Sequence, residues 1–346
     1  MLTSLSSNAI TAKCKAIYGK RLTNADYHEL LRQRSVADVA AYLKNSTSYS
    51  AYLSSVEESQ VHRGQLEHLL ERSLFDKFTR LTHYDFSKGR GFYHYAVSHI
   101  EVSFLIEAII LLNANKPQEI ILKAPTTMQK YFCFDMMKLS RVTSFSGLLD
   151  ALRGTAYYSV LRHFDAPNGS IDLSRCEQAL KEHYYKSILQ SIEKNYRGKT
   201  RRELKEVILI EIELINLSLI FRLKTYFKRP PEEIKRELLP FSYKLNKKAM
   251  DILIGAESDQ DFISKMHLSS YSNKMQAVEF NYIEDYTKRL KFIIGRKLVR
   301  SSTKAPIAFY SLITLLQVEI DNLKTIIEGI RYQNSPSEIE KLLILE

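Results

Sequence analysis

Glu101, Glu213 and Glu319 are the residues whose type and recurrence most invite a chemical reading. Each opens an apolar stretch, in IEVSFLIEAIILLNANKPQEIILKAP, IEIELINLSLIFRLKTYFKRPPEEIKRELLP and VEIDNLKTIIEGIRYQNSPSEIEKLLI. Three carboxylates in matched settings are either a catalytic or ion-binding set, or one structural hydrogen bond copied three times. The second reading is preferred, because a triplicated fold copies the polar contacts that hold it together.

The other reactive residues assemble no site. His94 and His99 are five apart, on different faces of a helix, and His62 and His68 match no better. Neither His-Glu-x-x-His nor a zinc spacing occurs. Cys14, Cys133 and Cys176 are too widely spaced for a disulfide framework, and a reducing, cytosolic setting is the default. Gly198-Lys199-Thr200 has the ending of a phosphate loop, but Glu193 stands where that loop needs glycine, and a helix precedes it rather than a strand. Gly198 is read instead as ending a helix and opening a basic loop. Nothing pairs a nucleophile with a base. The expectation is a protein with no catalytic residue, no cofactor and no metal.

Basic clusters remain, on a chain of formal charge +11. Lys194, Arg197, Lys199, Arg201 and Arg202 surround a turn. Lys288, Arg289, Lys291, Arg296, Lys297 and Arg300 run along a helix. Lys224, Lys228 and Arg229 sit at a helix-to-helix turn. Such charge attracts nucleic acid, anionic lipid or an acidic protein. Nucleic-acid surfaces interleave basic residues with exposed aromatics. Here the aromatics are read as lying on apolar stripes, which argues against nucleic acid.

The elements that would carry these residues are helical. With 11 Gly and 8 Pro in 346 residues, long helices with short connections are expected, and no stretch reads as a strand. Each acid-bearing segment continues through a polar turn to Pro117, to Pro230 or Pro231, or to Pro336, then to a shorter helix with an acid in its first turn. Upstream, ExxLxxxLF at Glu67, ExxLxxxYY at Glu177 and ExxYxxxYT at Glu279 form a second repeated element. The amphipathic stripes are Leu66, Leu70, Leu74 and Phe78; Leu173, Leu180, Tyr184, Ile188 and Ile192; and Val278, Tyr282, Tyr286 and Leu290. Tyr184 and Tyr185 are read as core residues. A third element places Ser35, Ser144 and Ser258 at helix N-caps, followed by Leu43, Leu152 or Met266 and then Tyr49, Tyr157 or Tyr271. The shared order predicts three copies of one unit of about 110 residues, at 1–127, 128–242 and 243–346. The start, MLTSLSSNAITAKCK, lacks signal-peptide features. Val207 to Phe221 is too short, and too rich in Glu and Asn, to span a bilayer, so no transmembrane segment is expected.

In this order the residues resemble the C subunit of V-type (A-type) ATPases, related to the vacuolar d, or AC39, subunit. The resemblance runs over essentially the whole chain. It is carried by Asn8-Ala9, Ser35-x-x-Asp38…Leu43, Glu177-x-x-Leu180-x-x-x-Tyr184-Tyr185, Glu213-Leu-Ile-Asn216-Leu217 through Pro231-Glu-Glu-Ile234…Leu239-Pro240, and Glu319-Ile-Asp321-Asn322-Leu323. The first copy departs, with Phe104 in place of Asn216 and Asn322.

The resemblance implies an all-α funnel of three similar domains about a pseudo-threefold axis. It implies a non-catalytic central-stalk component that couples the D–F shaft to the membrane proteolipid ring, for proton or sodium transport. That component would be a monomer in isolation and present once per complex, on the cytoplasmic face and peripheral to the membrane. Partner contacts are expected at Arg197, Lys199, Arg201, Arg202, Lys228, Arg229, Arg296, Lys297 and Arg300. The alternative is an α-helical repeat adaptor binding RNA or an acidic protein, which would stack its repeats in a line rather than close them around an axis.

Overall fold

The computed structural model describes residues 2–58, 61–82, 92–123, 126–164, 171–267, 271 and 283–346. Glu279, Val278 and Tyr282, on which part of the third repeat rests, lie outside the described residues. The described chain is all-helical, with no strand. In chain order the first helices are α1 (Leu2–Tyr18), α2 (Asn24–Leu31), α3 (Val36–Ser46), α4 (Ser50–Leu53), α5 (Arg63–Thr82), α6 (Tyr95–Asn113), α7 (Ile120–Lys123), α8 (Met136–Leu139) and α9 (Phe145–Ala151). Then follow α10 (Ala156–Leu161), α11 (Leu173–Asn195), α12 (Gly198–Thr225), α13 (Pro231–Glu237), α14 (Lys247–Ile254), α15 (Asp259–His267), α16 (Ile283–Ser301), α17 (Ala305–Arg331) and α18 (Pro336–Lys341).

The local signals form as their chemistry requires. Ser35, Ser144 and Ser258 each accept a backbone N–H three residues on, from Asp38, Gly147 and Asp261. Pro117, Pro231 and Pro336 each stand in the first turn of a helix, where a missing N–H costs nothing. Between each acid-bearing helix and its proline the chain reverses through a left-handed residue. These residues are Asn115, Lys228 and Gln333, at φ 56°, 51° and 58°, and they are the only non-glycine residues of positive φ among those described. The N–H just beyond each reaches back to a carbonyl of the last helical turn, at Leu111, Leu223 and Gly329.

Two expectations change. The acids do not open their helices: α6, α12 and α17 begin at Tyr95, Gly198 and Ala305, so Glu101, Glu213 and Glu319 lie well inside them. The upstream residues, as in Lys199–Glu206, are good helix formers and simply extend the helix. Gly198 does not end a helix and open a loop. The break falls at Tyr196–Arg197, and Gly198, at φ 57°, begins α12. Lys199, Arg201 and Arg202 are therefore helical.

The chain divides into two compact units, 1–88 with 273–346, and 89–272. In the first, α2 to α5 share a core with α17 and α18, where Leu30, Val39, Leu43 and Leu66 meet Leu323, Ile326, Ile327 and Ile339. In the second, α6 packs on α11, α11 on α12, and α12 on α13, α14 and α15. Tyr184 and Tyr185 are buried there, their rings edge to face at 4.8 Å. The segment Phe92–Asn113 is long and apolar enough to cross a membrane by length and composition, unlike Val207–Phe221, the stretch singled out from sequence. Of its most apolar window, 56% is buried within the fold, as in a core helix.

In the last turns of α17, Gly329 lets α18 fold back: a Cβ there would stand 2.5 Å from Ile339 Cγ1. Alanine normally stabilises a helix interior by about 1 kcal/mol relative to glycine. Gly329→Ala should instead destabilise by about 1–3 kcal/mol through overpacking, measured by urea unfolding.

Candidate functional site

Each of the three acids is buried, at 1%, 0% and 0% exposure for Glu101, Glu213 and Glu319. A carboxylate out of water must find donors, since its desolvation costs several kcal/mol. Glu319 accepts from the Leu22 backbone N–H at 2.9 Å and the Tyr49 hydroxyl at 2.8 Å, and Arg21 lies 3.4 Å away. Glu213 accepts from the N–H groups of Tyr243 and Leu245 at 2.6 and 2.7 Å, and from the Tyr271 hydroxyl at 2.5 Å. Glu101 accepts from the Cys133 N–H at 2.6 Å and the Tyr157 hydroxyl at 2.8 Å. One arrangement thus occurs three times: a mid-helix acid, a loop N–H, and the tyrosine that follows the N-capped helix.

The donors lie beyond each acid-bearing helix for Glu101 and Glu213, and near the start of the chain for Glu319. Glu101 is held by residues 133 and 157, Glu213 by 243, 245 and 271, and Glu319 by 22 and 49. A second contact repeats in two copies. Asn216 clamps the backbone of Leu239, donating to its carbonyl and accepting from its N–H, both at 3.0 Å. Asn322 does the same to Ile344, at 2.9 and 3.0 Å. At the matching position one turn past Glu101 stands Phe104, which is buried and apolar.

The acids and the tyrosines stand out in the sequence, but neither their pairing nor a third member of each group does. Lys77 Nζ sits 4.5 Å over the Tyr49 ring, Lys244 Nζ 5.5 Å over Tyr271, and the His183 ring stands edge-on to Tyr157 at 5.8 Å. Burial lowers the pKa of Lys77, partly opposed by the charge of Glu319. Burial, and then Lys186, lower that of His183. Burial, and then the Glu319 charge and hydrogen bond, hold the Tyr49 hydroxyl well above the ordinary phenol value, and burial with Glu101 does the same to Tyr157. These hydroxyls keep their protons and lock helices together. Among the described residues no cluster of three or more His, Cys, Asp or Glu is placed to hold a metal ion.

The expected contact residues fall in three places. Arg197, Lys199, Arg201 and Arg202 are exposed around the α11–α12 junction, where Arg201 and Lys205 bind Glu193 at 3.2 and 2.5 Å. Beside them an open groove of about 770 Å³ is lined by Lys186, Leu189, Glu193, Lys194, Lys205, Leu209 and Phe241. On α16, half-buried Arg296 and exposed Arg300 pair with Glu346 at 3.5 and 3.6 Å, Arg300 also donates to the Tyr18 hydroxyl at 2.8 Å, and Lys297 is exposed. Lys228 is exposed in its left-handed turn, and Arg229 pairs with Glu233 at 2.9 Å. The expectation that aromatics keep to apolar stripes fails at this turn. Tyr226 and Phe227 are 58% and 59% exposed, because the helix has ended and its apolar face no longer covers them.

The described residues define an all-helical protein in which three mid-helix acids are buried in matched hydrogen-bonded settings. The family described as ATP synthase (C/AC39) subunit matches residues 10–342, and the chain belongs to that family. It is 23% identical to the C subunit of the A-type ATP synthase of Methanosarcina acetivorans, over 99% of this chain and 94% of that protein. It is 23% identical to the C subunit of the A-type ATP synthase of Archaeoglobus fulgidus, over 97% and 95%. With the corresponding protein of Methanosarcina mazei the identity is 26%, over 64% of this chain and 60% of that protein.

Removing one hydroxyl from a buried acid leaves the acid short of a donor. Tyr49→Phe and Tyr271→Phe should each cost about 1–3 kcal/mol in urea unfolding. Glu213→Leu strands three donors at once and should cost about 3–5 kcal/mol. The buried tyrosines also set an alkaline limit. Their pKa values are raised in the folded state, so their stabilisation is complete below the ordinary phenol pKa of 10.0 and is lost as pH rises above it. Above that pH, Tyr157→Phe should reduce the slope of stability against pH by about 1.4 kcal/mol per unit, measured by denaturant titration across the alkaline range.

Proposed function

We propose that this protein is the non-catalytic central-stalk component of a rotary A/V-type ATPase. Three units, 1–127, 128–242 and 243–346, form a funnel about a pseudo-threefold axis. It sits on the cytoplasmic face, peripheral to the membrane, with the D–F shaft above and the proteolipid ring below. It transmits torque between ATP turnover and ion movement, and itself binds neither nucleotide nor ion. Family membership supports this reading.

The observation that carries it is the order of the acid–tyrosine contacts. The first copy's acid is held by the second copy, the second's by the third, and the third's, Glu319, by Leu22 and Tyr49 of the first. A linear solenoid leaves its last repeat unmatched, whereas a closed set of three returns to its start. Closure also suits a torque coupler, since no end repeat is free to peel away under load. The exposed cations at Arg197, Lys199, Arg201 and Arg202, beside the groove at the α11–α12 junction, offer a surface for acidic partners. Contact spread over many charges tolerates the mismatch between three units and a many-membered ring better than a shaped pocket does.

Affinity purification of tagged protein from its native membranes should recover proteolipid and shaft proteins. Recovery of nucleic acid alone would contradict the proposal. Combined charge reversal at Arg197, Lys199, Arg201 and Arg202 should reduce that recovery several-fold while leaving the stability in urea within about 0.5 kcal/mol of the parent. Undiminished recovery would remove this patch from the interface.

A further inference from the structure

The three turns that follow α6, α12 and α17 provide an internal control. All reverse the chain through one left-handed residue and lead into a proline-started helix. In the first, the residues at the reversal are Ala114 and Asn115, so the geometry needs no aromatic and tolerates the residue best suited to positive φ after glycine. In the third, Tyr332 is exposed but Arg331 stacks on its ring at 5.4 Å.

The second turn differs. Tyr226 touches Phe221 only at its edge, with centroids 6.2 Å apart, and Phe227 has no ring partner among the described residues. Lys228 occupies the left-handed position, as Gln333 does in the third turn, where a non-glycine residue costs about 1 kcal/mol. Lys224 anchors the turn by donating to the Ile254 carbonyl at 2.7 Å. The two adjacent exposed aromatics make one ring contact between them, the edge of Tyr226 on Phe221, and the first turn reverses without an aromatic.

We propose that the 226–229 turn seats in the headgroup region of an anionic lipid bilayer, Tyr226 and Phe227 entering the interface and Lys228 meeting lipid phosphate. The composition decides for lipid over protein. Interfacial belts combine aromatic rings with flanking lysine and arginine, whereas protein interfaces enrich aromatics and arginine but are depleted in lysine. The tip is also a chain reversal at the end of a helix, a form that dips into a surface rather than receiving a ligand. Lipid contact here does not depend on the rotary role, and its test needs no partner protein.

The chain contains no tryptophan, so Phe227→Trp gives a single fluorescent reporter at the tip, and Tyr332→Trp gives the matched reporter on the third turn. With phosphatidylglycerol vesicles, Phe227→Trp emission should move to shorter wavelength, while phosphatidylcholine vesicles should leave it unchanged. Tyr332→Trp should stay unshifted with both. Adding Lys228→Glu to the Phe227→Trp variant should weaken vesicle affinity about 10- to 30-fold, from the loss of one favourable charge and the gain of an unfavourable one. No shift with anionic vesicles, or equal shifts at positions 227 and 332, would overturn the proposal. So would a shift with poly(U) or poly-L-glutamate in the absence of a vesicle response, which would assign the turn to nucleic acid or to an acidic protein.

Discussion

A carboxylate that leaves water must be met by donors, and in this protein that need arises three times in the middle of apolar helices. Glu101, Glu213 and Glu319 cannot be satisfied by their own helices, whose backbone N–H groups are already committed to the helical ladder. Each therefore reaches a loop N–H and a tyrosine hydroxyl on a neighbouring segment. Much else follows from that requirement. The serine-capped helix sets where the tyrosine stands. The left-handed turn and proline set where the chain returns after the acid-bearing helix. One helical turn past Glu213 and Glu319 an asparagine fixes the returning backbone. A hydrophobic core would tolerate many registers of helix against helix, and the buried acid selects one.

Much of this is legible in the sequence. Capping serines, helix-starting prolines and amphipathic stripes are local signals, governed by interactions within a few residues, and they appear where their spacing places them. The acids and tyrosines are legible as recurring residues, and the structure surrounds each acid with donors. Their pairing is not legible, because Tyr49 and Glu319 are far apart in sequence and no local rule links them. Helix starts are also misplaced, since the polar run from Lys199 extends a helix ahead of its apolar stretch. The exposure of Tyr226 and Phe227 is hidden for a related reason. Periodicity describes a helix, and these residues lie just beyond the end of one.

The basic residues sort themselves once neighbours are known. Arg296 and Arg300 are engaged with Glu346, and Arg21 lies buried beside Glu319, near the rings of Tyr18 and Phe292. Charge counted from sequence cannot separate the buried Arg21 and half-buried Arg296 from Arg197, Arg202, Lys228, Lys297 and Arg300, which are exposed. Under the proposed role the division has a use. Arg21 and Arg296 pair within the fold, and the exposed cations are those the proposal assigns to other molecules.

The acid–tyrosine contact occurs three times, at Glu101/Tyr157, Glu213/Tyr271 and Glu319/Tyr49, and the proposed closed set of three units rests on all three. Double-mutant cycles at Tyr157/Glu101, Tyr271/Glu213 and Tyr49/Glu319, using Tyr→Phe and Glu→Gln and read by equilibrium unfolding, test it most directly. Coupling of about 1–3 kcal/mol is expected in all three cycles, including the pair that links the two ends of the chain. Additive effects at Tyr49/Glu319, with coupling retained at the other two pairs, would contradict closure.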